Sequence, residues 1–317
     1  MSMSTSTSTN GEPIVFLRGE FVPASAAHIA IYDLGIILGA TVTEMTRTFR
    51  QEPFRLHAHL ARLYRSLRTC RFDVGLSAEE LHAATLRVVE HNAALLGKGE
   101  ELGIVHFVTA GENRLYAGAA GGAGKMVPTV CIHTFPLPFC LWRDLFVQGG
   151  HVVTPSTRHI PPECLDPKMK YRSRLHWWVA DGETHLADPK AISLLLDLAG
   201  NISECAGANF LLVRAGAVLS PTTRNILPGI SRAVVIELCA DLGIPFRECD
   251  LQTYDVINAD EAFMSTTPYC IGPVTRINGI PIADGKPGPI TRRLLEAWSA
   301  MVGLDIVEQI LEYPLPE

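Results

Sequence analysis

Lys170 is the residue whose type and setting most directly suggest chemistry. The chain has six lysines against twenty-one arginines, so arginine carries most of its positive charge. Lys170 follows the segment LDPKM at 165–169 and precedes Tyr171, with Trp177 and Trp178 close behind it. A lysine partly withdrawn from water has a lowered pKa and can act as a Schiff-base nucleophile. The alternative is a lysine whose stem packs on apolar surface while its charged head stays in water.

Glu204 is a second candidate, in the segment GNISECAGANF at 200–210. The pattern predicts a carboxylate on a strand edge among small residues, where a flat molecule can approach closely. A buried glutamate needs a cationic partner, and a protonated pyridine nitrogen would serve. The alternative is a solvated glutamate in a hairpin.

The segment LPGISR at 227–232 predicts the start of a helix with Ser231 as its N-cap. The first backbone N–H groups of a helix have no partners within it, and they favour a bound anion. This segment is therefore a candidate phosphate site. The alternative is an ordinary capped helix.

These residues need elements to position them, and the pattern predicts an α+β chain. A tail at 1–10 is expected to be disordered, and 117–124 reads as a flexible Gly/Ala-rich loop. The predicted domains are a small α/β domain at 11–135, a linker at 136–146 and a large domain at 147–317. The main elements are a hairpin at 14–22, helices at 57–68 and 231–242, a helix with a capping box from Ser77, and strands at 103–109, 127–132, 191–197, 208–214 and 217–220.

Composition excludes several classes of protein. Hydrophobic residues make up 47% and charged residues 19%, as in a globular chain with a large core. A net charge of −6 argues against binding to nucleic acid, and no apolar run approaches the ~20 residues of a membrane span. Eight cysteines without metal-ligand spacing predict free thiols and no metal site. The Ser/Thr-rich start is unlike a signal peptide, so we expect a cytoplasmic protein.

Taken together and in order, these features resemble the class IV aminotransferases, the fold-type IV pyridoxal-phosphate (PLP) enzymes. The matching features follow one another along the chain. They are a lysine, a glutamate thirty-four residues later, a Pro-Gly helix start and a Ser-Thr-Thr cluster. The resemblance covers about residues 13–310 and is strongest at 202–290. It implies a small α/β domain and a larger pseudo-barrel α/β domain with PLP between them, in a homodimer. The family includes branched-chain and D-amino acid aminotransferases, (R)-selective amine transaminases and aminodeoxychorismate lyases.

The resemblance also implies roles for individual residues. Lys170 would hold PLP as a Schiff base and move the substrate proton, and Glu204 would keep the pyridine nitrogen protonated. The phosphate would be bound by the remaining matched positions, which are Arg62, the backbone N–H groups of Ile230 and Ser231, and Thr267 with Thr266 beside it.

Several positions depart from the branched-chain pattern. Thr43 replaces the aromatic residue that commonly lines the substrate pocket, and Leu175 replaces a tyrosine. The strand at 103–107 lacks a Tyr-x-Arg pair. Pro268 has no N–H, whereas branched-chain enzymes use the N–H of this position to bind the substrate carboxylate. The candidates for substrate binding are therefore Arg114, Arg172, Arg174 and Thr43.

The predicted function is a PLP-dependent transaminase that moves an amino group from a small-molecule donor to a 2-oxo acid. The missing branched-chain features favour a D-amino acid or an (R)-amine as donor. The alternatives are a lyase of the aminodeoxychorismate type, an L-branched-chain aminotransferase and a PLP-binding scaffold without catalysis. The presence of Lys170, Glu204 and Arg62 together argues against the scaffold.

Overall fold

A computed structural model describes residues 11–116 and 126–314 of the chain. The predicted disordered tail at 1–10 and the Gly/Ala-rich loop at 117–124 lie outside these residues. By its internal contacts the chain divides into two compact units, Met1–Leu137 with Lys170–Ser173 and Pro138–Met169 with Arg174–Glu317. Residues 170–173 thus group with the first unit, although they fall within the predicted large domain. The predicted boundaries around the 136–146 linker stay a prediction.

The first unit contains a six-stranded antiparallel sheet in the order β2-β1-β6-β5-β3-β4. The predicted hairpin is confirmed, because β1 and β2 pair around a turn at Arg18 and Gly19, both with positive φ. The elements are β1 Ile14–Leu17, β2 Glu20–Pro23, a 3-10 turn Ala24–Ala26, α1 Leu34–Ile37, β3 Thr41–Phe49, β4 Glu52–Pro53, α2 Leu56–Cys70, α3 Ala78–Ala93, β5 Leu102–Thr109 and β6 Thr129–Pro136.

The core of the first unit lies between this sheet and the helices α2 and α3. Leu60 and Leu63 of α2 are buried against a cluster that includes Val42 of β3 and Ile104 of β5. Side chains alternate across a strand, so Val42 and Glu44 both project to the side that the helices cover. The predicted capping box of α3 is confirmed, with Ser77 and Glu80 bonded reciprocally. This arrangement brings a carboxylate into a largely apolar core.

The second unit contains the remaining strands and helices. Among the described residues, no helix of either unit is both long and apolar enough to cross a membrane. The elements are a 3-10 turn Phe139–Trp142, α4 Arg143–Gln148, β7 Gly150–Val153, α5 Leu175–Ala187, β8 Ile192–Leu196, β9 Ile202–Cys205, β10 Ala208–Arg214, β11 Ala217–Ser220, α6 Ile230–Asp241, β12 Phe246–Glu248, α7 Thr253–Ile257, β13 Glu261–Thr266, β14 Cys270–Ile277, β15 Ile280–Pro281, α8 Pro289–Val302 and α9 Ile306–Leu311.

The strands of the second unit close into a ring of six, in the order β10-β13-β14-β7-β8-β9 and back to β10. Its core includes Phe210, Leu212 and Met264, all fully buried. The expectation that Glu204 lies on a strand edge is wrong, because β9 pairs with β8 on one side and with β10 on the other. The ring closes around β9, a long-range pairing that the local sequence does not encode.

The start of α6 also differs from the prediction. Its N-cap is Gly229, with no side-chain capping bond, and Ser231 lies inside the first turn, where it is buried. The predicted Ser231 cap is therefore wrong. Gly229 has an extended backbone, and the helix begins at Ile230, two residues before the position that a Ser231 cap would give.

Candidate active site

The backbone of Lys170 is fixed to β3 and α2 within the first unit. The N–H of Thr43 donates to the Lys170 carbonyl at 2.7 Å, and the N–H of Arg172 donates to the Thr41 carbonyl at 2.9 Å. The N–H of Lys170 itself donates to Ser66 Oγ at 3.3 Å. Residues 170–172 therefore lie along β3 like a short extra strand, which holds the lysine in one backbone position.

Arg62 forms a two-point ion pair with Glu44. Arg62 Nε lies 2.9 Å from Glu44 Oε2, and Arg62 Nη2 lies 2.7 Å from Glu44 Oε1. His59 Nδ1 lies 3.0 Å from the same Oε1. All three side chains are buried. A bidentate pair fixes the plane of the guanidinium, so Glu44 orients the arginine that the resemblance matches to the phosphate.

Burial and charge act in opposite directions on the pKa of these groups. Burial alone would raise the pKa of Glu44, but the charge of Arg62 and the hydrogen bonds from His59 and Arg62 hold it well below its usual range. The pKa of His59 is lowered because burial outweighs its contact with Glu44. Glu44 therefore stays ionised, and it compensates the charge of Arg62.

His106 lies opposite Glu44 on the neighbouring strand β5. Its Nε2 lies 2.8 Å from Thr85 Oγ1, while its Nδ1 is buried without a hydrogen-bond partner among the described residues. Burial lowers the pKa of His106 to about 4. A neutral imidazole thus extends the polar cluster behind Arg62 toward α3.

The substrate-binding candidates of the first unit differ in their settings. The Thr43 hydroxyl donates to the His106 carbonyl at 2.9 Å. Arg172 is exposed, and its guanidinium carbon lies 5.7 Å from the centre of the Phe107 ring. Arg114 is exposed in the turn that follows Gly111.

In the second unit, Glu204 is bound from two sides. Its Oε2 accepts hydrogen bonds from the Leu227 N–H at 3.0 Å and from Asn209 Nδ2 at 3.3 Å. Its Oε1 lies 3.5 Å from His159 Nε2. Asn209 also donates to the Leu227 carbonyl. These contacts tie β9 and β10 to the segment that leads into α6.

The N-terminus of α6 lies beside the same strands. A Cβ at Gly229 would lie 2.1 Å from Asn209 Oδ1, so only glycine permits this approach. Since the cap makes no side-chain bond, the N–H groups of Ile230 and Ser231 have no partners within the helix. Ser265, opposite Asn209 on β13, has a buried hydroxyl with no hydrogen-bond partner among the described residues.

The other matched residues of the second unit are close in sequence to these. Thr266 ends β13, and its hydroxyl donates to the Gly207 carbonyl at 2.7 Å. Thr267 follows in a turn and is partly buried. Arg174 precedes α5, with its guanidinium carbon 5.3 Å from the centre of the Trp177 ring.

The side chains and backbone groups described above fit the chemical groups of PLP. The first unit offers an amine and an oriented guanidinium in Lys170 and Arg62. The second offers the carboxylate of Glu204, suited to a cationic ring nitrogen, and a helix N-terminus suited to a phosphate. The unpartnered hydroxyl of Ser265 adds a buried donor that a ligand oxygen would satisfy.

Sequence reasoning missed several of these partners. The two-residue spacing of His57 and His59 places them on different faces of α2, so the sequence disfavours a metal pair and suggests no other role for them. In the structure His57 stacks on His82, whereas His59 contacts Glu44. A signal for Glu44 exists in principle. Arg62 falls on the apolar side of an amphipathic helix, and a buried arginine requires an acid. For His159, no local signal exists.

Comparison with known proteins identifies the family of this chain. The family model described as amino-transferase class IV matches residues 41–277. The branched-chain-amino-acid aminotransferase of Escherichia coli K12 is 29% identical over 289 residues, 90% of this chain and 91% of that protein. The D-alanine aminotransferase of Listeria monocytogenes is 29% identical over 290 residues, 88% and 93% of the two chains.

Solved structures extend the agreement to the fold and the cofactor. The E. coli branched-chain amino acid aminotransferase has a TM-score of 0.83 and 29% identity, over 92% of this chain and 95% of that one. A second branched-chain amino acid aminotransferase, from T.th. and solved with pyridoxamine 5'-phosphate, has a TM-score of 0.81 and 26% identity over the same shares. The predicted fold-type IV architecture, PLP as cofactor and transaminase activity are thereby confirmed. The chain belongs to the class IV aminotransferases.

Proposed function

We propose that this aminotransferase takes its amino group from a D-amino acid or an (R)-amine and passes it to a 2-oxo acid. The observation that carries the proposal is Pro268, which follows Thr267. Proline has no N–H, so it cannot give the substrate carboxylate the backbone hydrogen bond that branched-chain enzymes are expected to use here. Thr43, at the position of a pocket aromatic, leaves room for a group of a different shape.

The proposed roles of the chain's residues follow from their contacts. When bound, PLP supplies a carbon that accepts the amino group and a ring that accepts electrons from the donor. The Lys170 amine anchors the cofactor and carries the proton removed from the α-carbon of the donor. Glu204 would bind the ring nitrogen of the cofactor and keep it protonated. The proposed phosphate ligands are Arg62 in the first unit and the first turn of α6, at Ile230 and Ser231, in the second.

The threonines complete the proposed phosphate site. Thr267 contributes its hydroxyl, and Thr266 supports the turn through its bond to Gly207. A phosphate held by a guanidinium, backbone N–H groups and a hydroxyl receives both charge and directed hydrogen bonds.

Arg172 is the proposed partner of an acidic substrate's carboxylate. It is two residues from Lys170, its backbone is bonded to β3, and its guanidinium lies beside Phe107. Phe107 in turn packs edge-on to His133 at 6.2 Å. Arg114 and Arg174 stay weaker candidates, since Arg174 lies against Trp177 and Arg114 is exposed in a turn.

An L-branched-chain amino acid is the second candidate donor. The similarity to the E. coli branched-chain enzyme, at 29% identity over nine-tenths of both chains, favours it. The similarity to the D-alanine aminotransferase has the same identity, so neither relative decides between the donors.

We also propose that the chain acts as a cytoplasmic homodimer. The first unit exposes large apolar side chains on two adjoining segments, among them Ile31, Leu38, Leu115 and Tyr116. The Asn113 N–H donates to the Tyr32 carbonyl, which brings these segments side by side. Exposed apolar patches of this kind mark protein interfaces. All eight cysteines are free thiols, which supports a reducing compartment.

The test is the absorption spectrum of the PLP-loaded protein with one donor at a time and no 2-oxo acid. We would compare D-alanine, (R)-1-phenylethylamine and L-leucine. Conversion to the pyridoxamine phosphate spectrum with D-alanine or the (R)-amine supports the proposal. Conversion with L-leucine alone would replace it by the second candidate. Release of pyruvate beyond the one equivalent per enzyme that the D-alanine half-reaction yields, without an acceptor, would indicate a lyase.

A further inference from the structure

Asn278 and Gly279 form a hairpin turn in the second unit that none of the roles above uses. Ile277 at the end of β14 pairs with Ile280 at the start of β15, so the loop consists of these two residues alone. Both have positive φ, 49° and 81°, as the type I′ turn requires and as Asn-Gly readily provides. Both are exposed, so water reaches the turn.

An asparagine followed by glycine is chemically labile in a flexible chain. The glycine nitrogen attacks Cγ of the asparagine, and the absence of a glycine side chain leaves the approach open. An N–Cγ bond forms, the Cγ–Nδ2 bond breaks, and Nδ2 leaves as ammonia with the proton of the glycine N–H. Water then opens the cyclic imide to aspartate or isoaspartate. The reaction consumes water alone and involves no oxidation or reduction.

The side-chain amide of Asn278 is held by Thr154, the residue after β7. Asn278 Oδ1 accepts from the Thr154 N–H at 2.9 Å and from Thr154 Oγ1 at 3.3 Å. Asn278 Nδ2 donates to the same Oγ1 at 2.9 Å. The backbone N–H of Asn278 donates to the Val152 carbonyl at 2.9 Å. Departure of Nδ2, or rotation of Cγ toward the next nitrogen, therefore requires that these bonds break.

The attacking nitrogen is engaged as well. The Gly279 N–H donates to His151 Nε2 at 2.9 Å, and His151 Nδ1 lies 2.7 Å from Asp188 Oδ2. An N–H only donates and an ionised carboxylate only accepts, so Nε2 is the bare nitrogen and Nδ1 carries the hydrogen. The hydrogen bond from His151 is the main reason that the pKa of Asp188 lies below its ordinary value. Asp188 thus holds the imidazole in the form that binds Gly279.

These contacts exist only in the folded second unit. They join residues 124 positions apart for Thr154 and Asn278, and 128 positions apart for His151 and Gly279. They depend on the parallel pairing of β7 with β14, in which His151 lies opposite Arg276. Local opening of the hairpin away from β7 would release the amide and the attacking nitrogen together.

We propose that Asn278 is a latent deamidation site, kept unreactive by Thr154 and His151 while β7 and β14 are paired. Opening of the turn permits the attack of the Gly279 nitrogen, and the product records that opening irreversibly. Isoaspartate adds one carbon atom to the main chain of a two-residue turn, so the modified hairpin loses the register between β14 and β15. The inference does not depend on the cofactor or on the identity of the amino donor.

The test is incubation of the whole protein at physiological temperature and pH, followed by peptide mapping. Mass spectrometry detects the conversion of amide to acid at Asn278 and separates aspartate from isoaspartate. The variants are Thr154→Val, which keeps the shape of the side chain and loses its hydroxyl, and His151→Phe, which keeps a ring and loses the acceptor for Gly279. The matched control is Val152→Ala, which weakens the same strand and leaves every bond to the turn in place.

We expect Thr154→Val and His151→Phe each to deamidate roughly three- to tenfold faster than wild type and Val152→Ala, the factor that corresponds to one or two lost hydrogen bonds. Unchanged rates in both variants would overturn the inference. Slower reaction in His151→Phe would also overturn it, because His151 would then act as the base that promotes attack. Equal acceleration in Val152→Ala would show that global unfolding alone exposes the site, and would refute the role of the two contacts.

A second measurement needs no variant. Wild-type protein unfolded in urea should deamidate at Asn278 at least about tenfold faster than the folded protein, because all the contacts of the turn are then lost. Equal rates in the folded and unfolded protein would overturn the inference. Hydrogen exchange adds a direct check on the attacking group, since the Gly279 amide should be protected in wild type and exchange faster in His151→Phe. An unprotected Gly279 amide in wild type would contradict the proposed role of His151.

Discussion

The carboxylate of Glu44 and the guanidinium of Arg62 form a two-point pair, with N–O distances of 2.9 and 2.7 Å, inside the core of the first unit. The two residues are eighteen positions apart, one on β3 and one on α2. A guanidinium proposed to bind phosphate is therefore oriented by a buried acid before any ligand arrives. Binding then requires little loss of side-chain entropy.

Glu44→Gln should destabilise the protein, because it leaves a buried arginine without its anion. Breaking a buried pair from one side costs roughly 3 kcal/mol. Urea unfolding measures the change in the free energy of unfolding, and PLP affinity should fall with it. The control is Asp144→Asn, which removes the acid of the exposed Lys190–Asp144 pair and should change little. Equal effects of the two substitutions would contradict the prediction.

The stability of the protein should fall as the pH drops from about 6.5 to about 4. His106 has its pKa lowered by burial to about 4, so over this range the unfolded chain binds a proton that the folded chain rejects. The stabilisation from the neutral folded form is complete above pH 6.5 and decreases below it. The difference between the His106 pKa in the unfolded chain, 6.5, and in the folded chain, about 4, corresponds to about 3 kcal/mol in the free energy of unfolding.

The measurement is urea unfolding of wild type and His106→Gln at several pH values. The variant should show a flatter profile between pH 4 and 6.5. His185→Gln, at an exposed position of α5, serves as the control and should keep the wild-type profile. Parallel profiles for wild type and His106→Gln would show that another group causes the acid sensitivity.

Lys170→Ala should abolish covalent attachment of PLP and lower turnover by at least about 100-fold, while the fold is retained. The reason is that, among the described residues of the first unit, no other lysine has its backbone hydrogen-bonded to β3. Mass spectrometry after borohydride reduction detects the attached cofactor, and circular dichroism checks the fold. Lys168→Ala, two residues earlier and exposed, is the matched control. Wild-type turnover in Lys170→Ala would refute the assignment.

Gly229→Ala should weaken PLP binding and destabilise the second unit by about 1–3 kcal/mol. The new Cβ would lie 2.1 Å from Asn209 Oδ1, and Asn209 cannot easily move because its amide donates to Glu204 and Leu227. The control is Gly182→Ala in α5, where nothing lies within 4 Å. It should stabilise the helix by about 0.5–1 kcal/mol. Thermal unfolding and PLP titration of both variants provide the comparison.

Pro268→Ala should shift donor preference toward L-leucine by about tenfold in kcat/KM relative to D-alanine. The substitution restores a backbone N–H, and a hydrogen bond to a charged group contributes about 1.5–3 kcal/mol. Steady-state rates with the two donors measure the ratio. Pro281→Ala, on the exposed strand β15, should leave it unchanged. An unaltered ratio in Pro268→Ala would mean that position 268 does not select the donor.

Much of the fold could be predicted from local patterns. The spacing of Leu60, Leu63 and Leu67 predicts the buried face of α2, and the Ser77–Glu80 capping box marks the start of α3. These signals work because helix periodicity and capping depend on residues within a few positions of one another. The order of Lys170, Glu204, the Pro-Gly helix start and the threonines likewise identified the family that the comparisons confirm.

The sequence by itself therefore predicted three of the helices (α2, α3 and α6), seven of the strands and the family, and it supplied the candidate cofactor residues. Tertiary structure decided which groups meet. It paired Arg62 with Glu44, enclosed Glu204 between β8 and β10, and set His159 against Glu204. It also placed the N-cap of α6 at Gly229 instead of Ser231. The physical reason is that ion pairing and ring closure join residues far apart in the chain. Their partners are selected by packing and desolvation, which a local pattern does not record.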